Sequence, residues 1–269
     1  MSREFHGTVM TECPQWRYGG GGYRRVFADD TCHYLVDVVG DTITAVNLDT
    51  DLPIDCDPPT YRPPESLWTS ARDLATALAG LGTVRRFRNP GWWNAIGVAI
   101  IRQVPRAAQV RQLCEAFAAA HGRRLTLPDG TEYALFPDAE TVAALPERGF
   151  ADVGLGFRSE LLGTAARAYL DNSARWRRLS PGALVDELRR VDGLGAWSAH
   201  VAVTDIHGDF GYYPYTDLAI QTWARKAAPR MSWPDDEPTF TRMWKHLADG
   251  ELSGLTATIL AWGATHRIR

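Results

Sequence analysis

The sequence predicts an α+β fold that is mostly α, with a small N-terminal antiparallel β-sheet domain followed by a larger helical domain. Three observations lead there. Up to about residue 60, short runs rich in β-branched and aromatic residues alternate with turn signals, as the strands of a small sheet do. From Ser66 onward the apolar residues recur with helical spacing. Between the two patterns stands "CDPPTYRPPE", a proline-rich segment that marks a boundary, so the domains are set at 1–64 and 65–269.

The strands are read in "EFHGTVM", "YRRVFA", "CHYLVDVV" and "DTITAVNL", and "RYGGGGYRR" reads as a flexible connection. "ESLWTSARDLATALAGLG" opens on Glu65 and Ser66 and closes on glycine, as a capped helix should. Helical segments follow in "GWWNAIGVAIIRQ", "RAAQVRQLCEAFAAAHG", "DAETVAAL", "SELLGTAARAYLDN", "PGALVDELRR", "AWSAHVAVTDIHG", "DLAIQTWARKAAP", "PTFTRMWKHLADG" and "LSGLTATILAWGATHR".

Composition bounds the function. Of the 269 residues 45% are hydrophobic and 23% charged, and no stretch approaches the roughly 18 to 20 apolar residues that span a bilayer. The opening "MSREFHGTVM" lacks the apolar run of an export signal. The cysteines at 13, 32, 56 and 114 are too far apart for a metal knuckle, so a reduced, cytoplasmic, metal-free monomer is expected. The net charge of −3 conceals an asymmetry: residues 1–65 hold eleven acids against five bases, whereas 85–125 hold eight arginines and the single acid Glu115. A basic segment of that kind suits phosphate recognition by planar guanidinium groups. A GC-rich coding sequence gives the same preference for arginine.

"PGALVDELRRVDGLGAWSAHVAVTDI" reads as helix, hairpin, helix, over about 181–207. Gly193 and Gly195 leave backbone N–H groups uncovered, and with Ala196 they stand at the positive end of the second helix, where an anion such as phosphate fits. A plain helix-capping glycine is the other reading. Some twenty residues on, "GYYPYTDLAI" sets Asp217 at the start of an amphipathic helix, where an aspartate serves as N-cap.

Together, "LVDELRRVDGLGAWSA" and "YYPYTDLAI" resemble the signature of the helix-hairpin-helix DNA glycosylases, over residues 184–223. "AIGVAIIRQVPRAAQVRQLCEAFAAAHG" and "LSGLTATILAW" are more loosely similar to the alkylpurine branch, that of 3-methyladenine DNA glycosylase II. The resemblance implies double-stranded DNA with a damaged base as partner, Asp217 as the catalytic carboxylate, and a base pocket walled by Trp197 and Trp262, with His200 at its edge or in the interior. Gly193, Gly195 and Ala196 would bind phosphate. Gln103, Val104, Pro105 and Arg106 would form the loop that enters the DNA, with Val104 as the wedge or as a core residue. Bifunctional members carry a lysine two positions after the second glycine; here that place is Trp197, so a monofunctional enzyme is expected. No cysteine follows Cys114, which excludes that family's iron–sulfur cluster and leaves, at most, a monovalent cation at the hairpin. An N-glycosidase acting on free nucleosides or small glycosides, and a non-catalytic DNA-binding module, remain as alternatives.

Overall fold

The computed structural model describes residues 3–4, 7–28, 32–40, 42–54, 57–103 and 106–266. Its strands are β1 (Arg3–Glu4), β2 (Gly7–Val9), β3 (Arg17–Gly19), β4 (Gly22–Ala28), β5 (His33–Val39), β6 (Thr42–Asn47), β7 (Thr60–Tyr61), β8 (Thr83–Arg85), β9 (Arg124–Thr126) and β10 (Glu132–Ala134). Its helices are α1 (Leu67–Ser70), α2 (Arg72–Ala79), α3 (Trp92–Ile101), α4 (Ala107–His121), α5 (Ala139–Ala144), α6 (Glu147–Asp152), α7 (Ser159–Trp176), α8 (Pro181–Leu188), α9 (Ala196–His207), α10 (Leu218–Ala227), α11 (Glu237–Ala248) and α12 (Leu252–Thr265). The α+β, mostly α class is the one expected. None of these helices is long and apolar enough to cross a membrane.

The chain forms two compact units: Met1–Glu4, Cys13–Cys56 and Asn89–His207 make the first, and Phe5–Glu12, Asp57–Arg88 and Gly208–Arg269 the second. The second unit runs across the boundary set at 64/65. Strand pairing is the reason. β2 runs parallel to β8 with Gly7 opposite Thr83, which draws an N-terminal strand into a unit built mostly of later helices.

In the first unit a five-stranded antiparallel sheet has the order β1-β6-β5-β4-β3. The glycine run read as a flexible connection is a tight two-residue turn between β3 and β4. Gly19 pairs with Gly22, and Gly20 and Gly21 take φ of +61° and +82°, the positive pair that a two-residue hairpin turn demands. The β9–β10 hairpin, not anticipated, closes the sheet's core by packing Leu127 and Tyr133 on Val26 and Leu35. Among the helices, α3 is buried from Ala95 through Ile101, as its nearly uninterrupted apolar run requires. It packs against α4, α7 and α9.

The second unit joins the sheet β2-β8-β7 to α1, α2, α10, α11 and α12. The segment expected as one helix from Ser66 breaks at Ala71, which takes φ −153° and ψ 61° between α1 and α2. α12 supplies the buried centre through Leu255, Thr256, Ala257, Thr258 and Ile259. Fully buried Trp244 of α11 donates its indole N–H to Thr256 Oγ1 at 3.2 Å.

Candidate functional site

In the first unit the hairpin is built from short local rules. Ser180 caps α8 through Ala183 N–H, with Pro181 at the first helical position. The chain turns after Leu188, and Leu194 N–H donates to Val191 C=O at 3.0 Å. Leu194 is buried at the centre of the turn, while Gly193, Gly195 and Ala196 are exposed. The two glycines are there for different reasons. Gly193 has φ +80°, and a Cβ on it would lie 3.2 Å from Leu161 Cδ1, so the backbone itself requires glycine. Gly195 lies outside the left-handed region and a Cβ there would meet nothing within 4 Å. Its bareness leaves open the approach to the first-turn N–H groups of α9, which have no intrahelical acceptor and no acidic side chain beside them.

Behind the turn, Trp197 is half-buried, and the Arg102 guanidinium lies 5.9 Å from its ring centroid. The Gln103 amide donates to the hydroxyl of Ser198, a residue only 1% exposed, which ties the end of α3 to the first turn of α9. His200 is half-buried one turn further on. Arg106, extended and exposed, is the N-cap position of α4. Val104 and Pro105, the expected wedge and its neighbour, lie outside the described residues. Deeper in α9, the buried Asp205 carboxylate accepts from Asn89 Nδ2 at 2.9 Å and its main-chain carbonyl from Asn89 N–H at 2.8 Å, fixing the segment that leads into α3.

In the second unit, half-buried Asp217 is the N-cap of α10, and its Oδ1 accepts from Ala219 N–H at 2.8 Å. Its Oδ2 accepts from Tyr213 O–H at 2.6 Å. Tyr213 is 5% exposed and stacks on Phe210, with ring centroids 6.2 Å apart, so the hydroxyl is rigidly presented. Sequence reasoning missed this tyrosine, one of three in "GYYPYTD", and nothing in that segment signals it. Trp262 of α12 is half-buried, edge-on to Trp223 of α10 at 6.5 Å and stacked on His266 at 4.0 Å. The close approach of α10 and α12 depends on Gly263, where a Cβ would fall 2.4 Å from Trp223 Cδ1. Thus the hairpin, Trp197, His200, Gln103 and Arg106 belong to one unit, and Asp217 and Trp262 to the other. Among the described residues no group of three or more His, Cys, Asp or Glu is placed to hold a metal ion.

Neither a family model nor a curated protein sequence matches the chain. Solved structures do. An Ogg1 protein, MBOgg1, in complex with a low-affinity DNA ligand superposes with a TM-score of 0.73 at 19% identity, covering 96% of this chain and 90% of that one. The Clostridium acetobutylicum 8-oxoguanine glycosylase/lyase, in complex with double-stranded DNA containing cytosine opposite 8-oxoguanine, gives 0.71 at 15% identity, with coverage of 96% and 90%. The 3-methyladenine DNA glycosylase of Archaeoglobus fulgidus gives 0.67 at 15% identity, covering 99% of this chain and 97% of its own. At these identities the likeness is one of fold. The fold is the one that the hairpin and the segment after it led us to expect.

Proposed function

From that fold as premise, we propose that the chain is a DNA N-glycosylase, and within that class a monofunctional one that excises alkylated purines from duplex DNA. Asp217 is the observation that carries the reading. Ala219 N–H and Tyr213 O–H each hold one of its oxygens, so the carboxylate has a fixed orientation on the turn where the fold's catalytic acid is expected. In hydrolysis the C1′–N bond breaks and its electron pair leaves with the base. The sugar becomes oxocarbenium-like, and a fixed negative charge beside it lowers the barrier. Water then adds to C1′ and releases a proton, for which the carboxylate is a suitable acceptor. An N-alkylated purine is cationic, so it departs neutral without needing a proton.

The tryptophans that the resemblance implies for the pocket support a cationic base, since their faces attract cations by roughly 0.5–2 kcal/mol. A lyase would need an amine two positions after the second glycine of the hairpin, and Trp197 stands there. The hairpin's outward N–H groups would hold a phosphate next to the extruded nucleotide. The enzyme would act as a monomer without a redox cofactor.

Two of the similar structures are of Ogg1 or 8-oxoguanine enzymes, so the test sets both lesion classes side by side. Duplexes carrying N3-methyladenine, N7-methylguanine or 8-oxoguanine are incubated with excess enzyme, and released bases are read by mass. Borohydride is added in parallel. The methylated bases should be released, no covalent adduct should be trapped, and strands should stay intact until heated in alkali. Release of 8-oxoguanine with a trapped adduct would overturn both the alkylpurine and the monofunctional assignments. Release of no base from any duplex would overturn the glycosylase reading itself.

A further inference from the structure

The first unit contains a cavity of about 340 Å³, of the size that takes a small ligand, and none of Trp197, Asp217 or Trp262 lines it. Its walls are flat and aromatic: Phe27 of β4, Trp92 and Trp93 of α3, and Tyr133, Phe136 and Tyr169. They are held in place. Trp93 donates its indole N–H to Pro137 C=O at 2.9 Å and packs against the Phe136 and Tyr169 rings at 6.4 and 6.0 Å.

Arg25 also lines the cavity, and it is only 2% exposed. Among the described residues it makes one hydrogen bond, from Nη2 to the neutral Gln15 Oε1 at 3.0 Å, and its guanidinium lies 4.1 Å from the Phe27 ring centroid. Its Nε is buried without an acceptor, and among the described residues no carboxylate forms an ion pair with it. A buried guanidinium so poorly matched is costly to keep, since five N–H donors want acceptors. The N-terminus of α3 meets the same cavity through Gly91, Trp92 and Trp93, with no side chain capping it and no acid in its first turn. Electropositive groups thus converge inside, while the exposed part of the lining carries both signs, Asp138 and Glu140 beside Arg123. Flat aromatic walls with N–H donors converging between them favour a planar ring with acceptor atoms on one edge.

We propose that this cavity binds a free 6-oxopurine base, stacked on the aromatic walls with its O6/N7 edge toward Arg25. That edge is the acceptor pair which arginine reads most readily on a purine. Hypoxanthine and adenine make the discriminating probes, because they differ only in the keto or amino group at C6. Calorimetric titration of the full chain should show hypoxanthine binding at least about tenfold more tightly than adenine. Arg25→Met keeps the apolar stem and should reduce that ratio to about one, while Asp217→Asn should leave it unchanged. Should Arg25→Met fail to fold, hydrogen exchange on the wild-type chain still decides. Saturating hypoxanthine should protect amides of β4 and of the first turn of α3. No binding at millimolar hypoxanthine, equal affinity for the two bases, or protection confined to the hairpin or the Asp217 turn would each overturn the proposal. The experiment uses neither DNA nor turnover, so its outcome is independent of the glycosylase reading.

Discussion

In the proposed reaction Asp217 combines a structural and a chemical task, and its two hydrogen bonds allow the tasks to be separated. Oδ1 caps α10, and asparagine caps as well as aspartate does, so Asp217→Asn should melt close to the wild-type temperature. What it removes is the negative charge. Loss of one well-placed electrostatic group costs on the order of 10²–10³ in rate, whereas phosphate contacts and base extrusion do not use the carboxylate. Single-turnover base release should therefore fall by that factor while the damaged-duplex binding isotherm stays in place. Near-normal excision by a folded Asp217→Asn chain would return the residue to being a cap. On the same proposal Tyr213 would act one step back, as a positioning residue through its 2.6 Å bond to Oδ2. Tyr213→Phe preserves the stack on Phe210 and deletes a hydrogen bond to a charged group, so the rate should drop about tenfold with affinity unchanged. A matching loss in affinity would show that the tyrosine only supports the fold there.

At the scale of elements, the hairpin yields a clean experiment because its glycines differ. Gly195→Asp meets nothing within 4 Å and needs no unusual backbone, so stability should hold. It sets a negative charge at the open end of α9, and duplex affinity should fall by on the order of tenfold, as for loss of one charge-assisted hydrogen bond. Unchanged binding at moderate salt would remove the anion site from the reading. The same contrast shows what the sequence could convey. Long helices such as α4, α7 and α12 were legible because one apolar stripe repeats within each segment, and the hairpin because glycine, capping and apolar signals coincide. Non-local pairing was not. "EFHGTVM" reads as a strand, but nothing within it says that β2 joins β8 rather than the five-stranded sheet. The three-residue strands β9 and β10 are too short for a period to register. That Asp217 opens a helix as its N-cap was legible from its segment. Tyr213 was not, since a tyrosine among three in "GYYPYTD" carries no mark of its hydrogen bond.

Charge belongs to the whole molecule, and there the sequence count overstates what would be available to the proposed DNA partner. Of the eight arginines between residues 85 and 125, several are committed within the protein. Arg86, 5% exposed, donates to Glu12 at 2.7 Å; Arg111 donates to the main-chain carbonyls of Pro14 and Trp16; Arg123 contacts His33. Arg88, Arg106 and Arg124 keep exposed side chains, and Arg106 stands on the loop expected to enter the DNA. These two kinds of arginine respond to different measurements. A side chain that neutralises a phosphate releases a counterion, so its removal makes the plot of log affinity against log salt shallower by about one unit. Arg106→Ala should do this while the melting temperature stays close to that of the wild type. Arg111→Met leaves two carbonyls without their donor and loosens the attachment of residues 14–16 to α4. It should lower the melting temperature and leave the salt slope where it was. The comparison is decisive in both directions: equal changes in slope for the two variants would mean that the basic segment acts as an undivided field, and no change for Arg106→Ala would take that loop off the DNA.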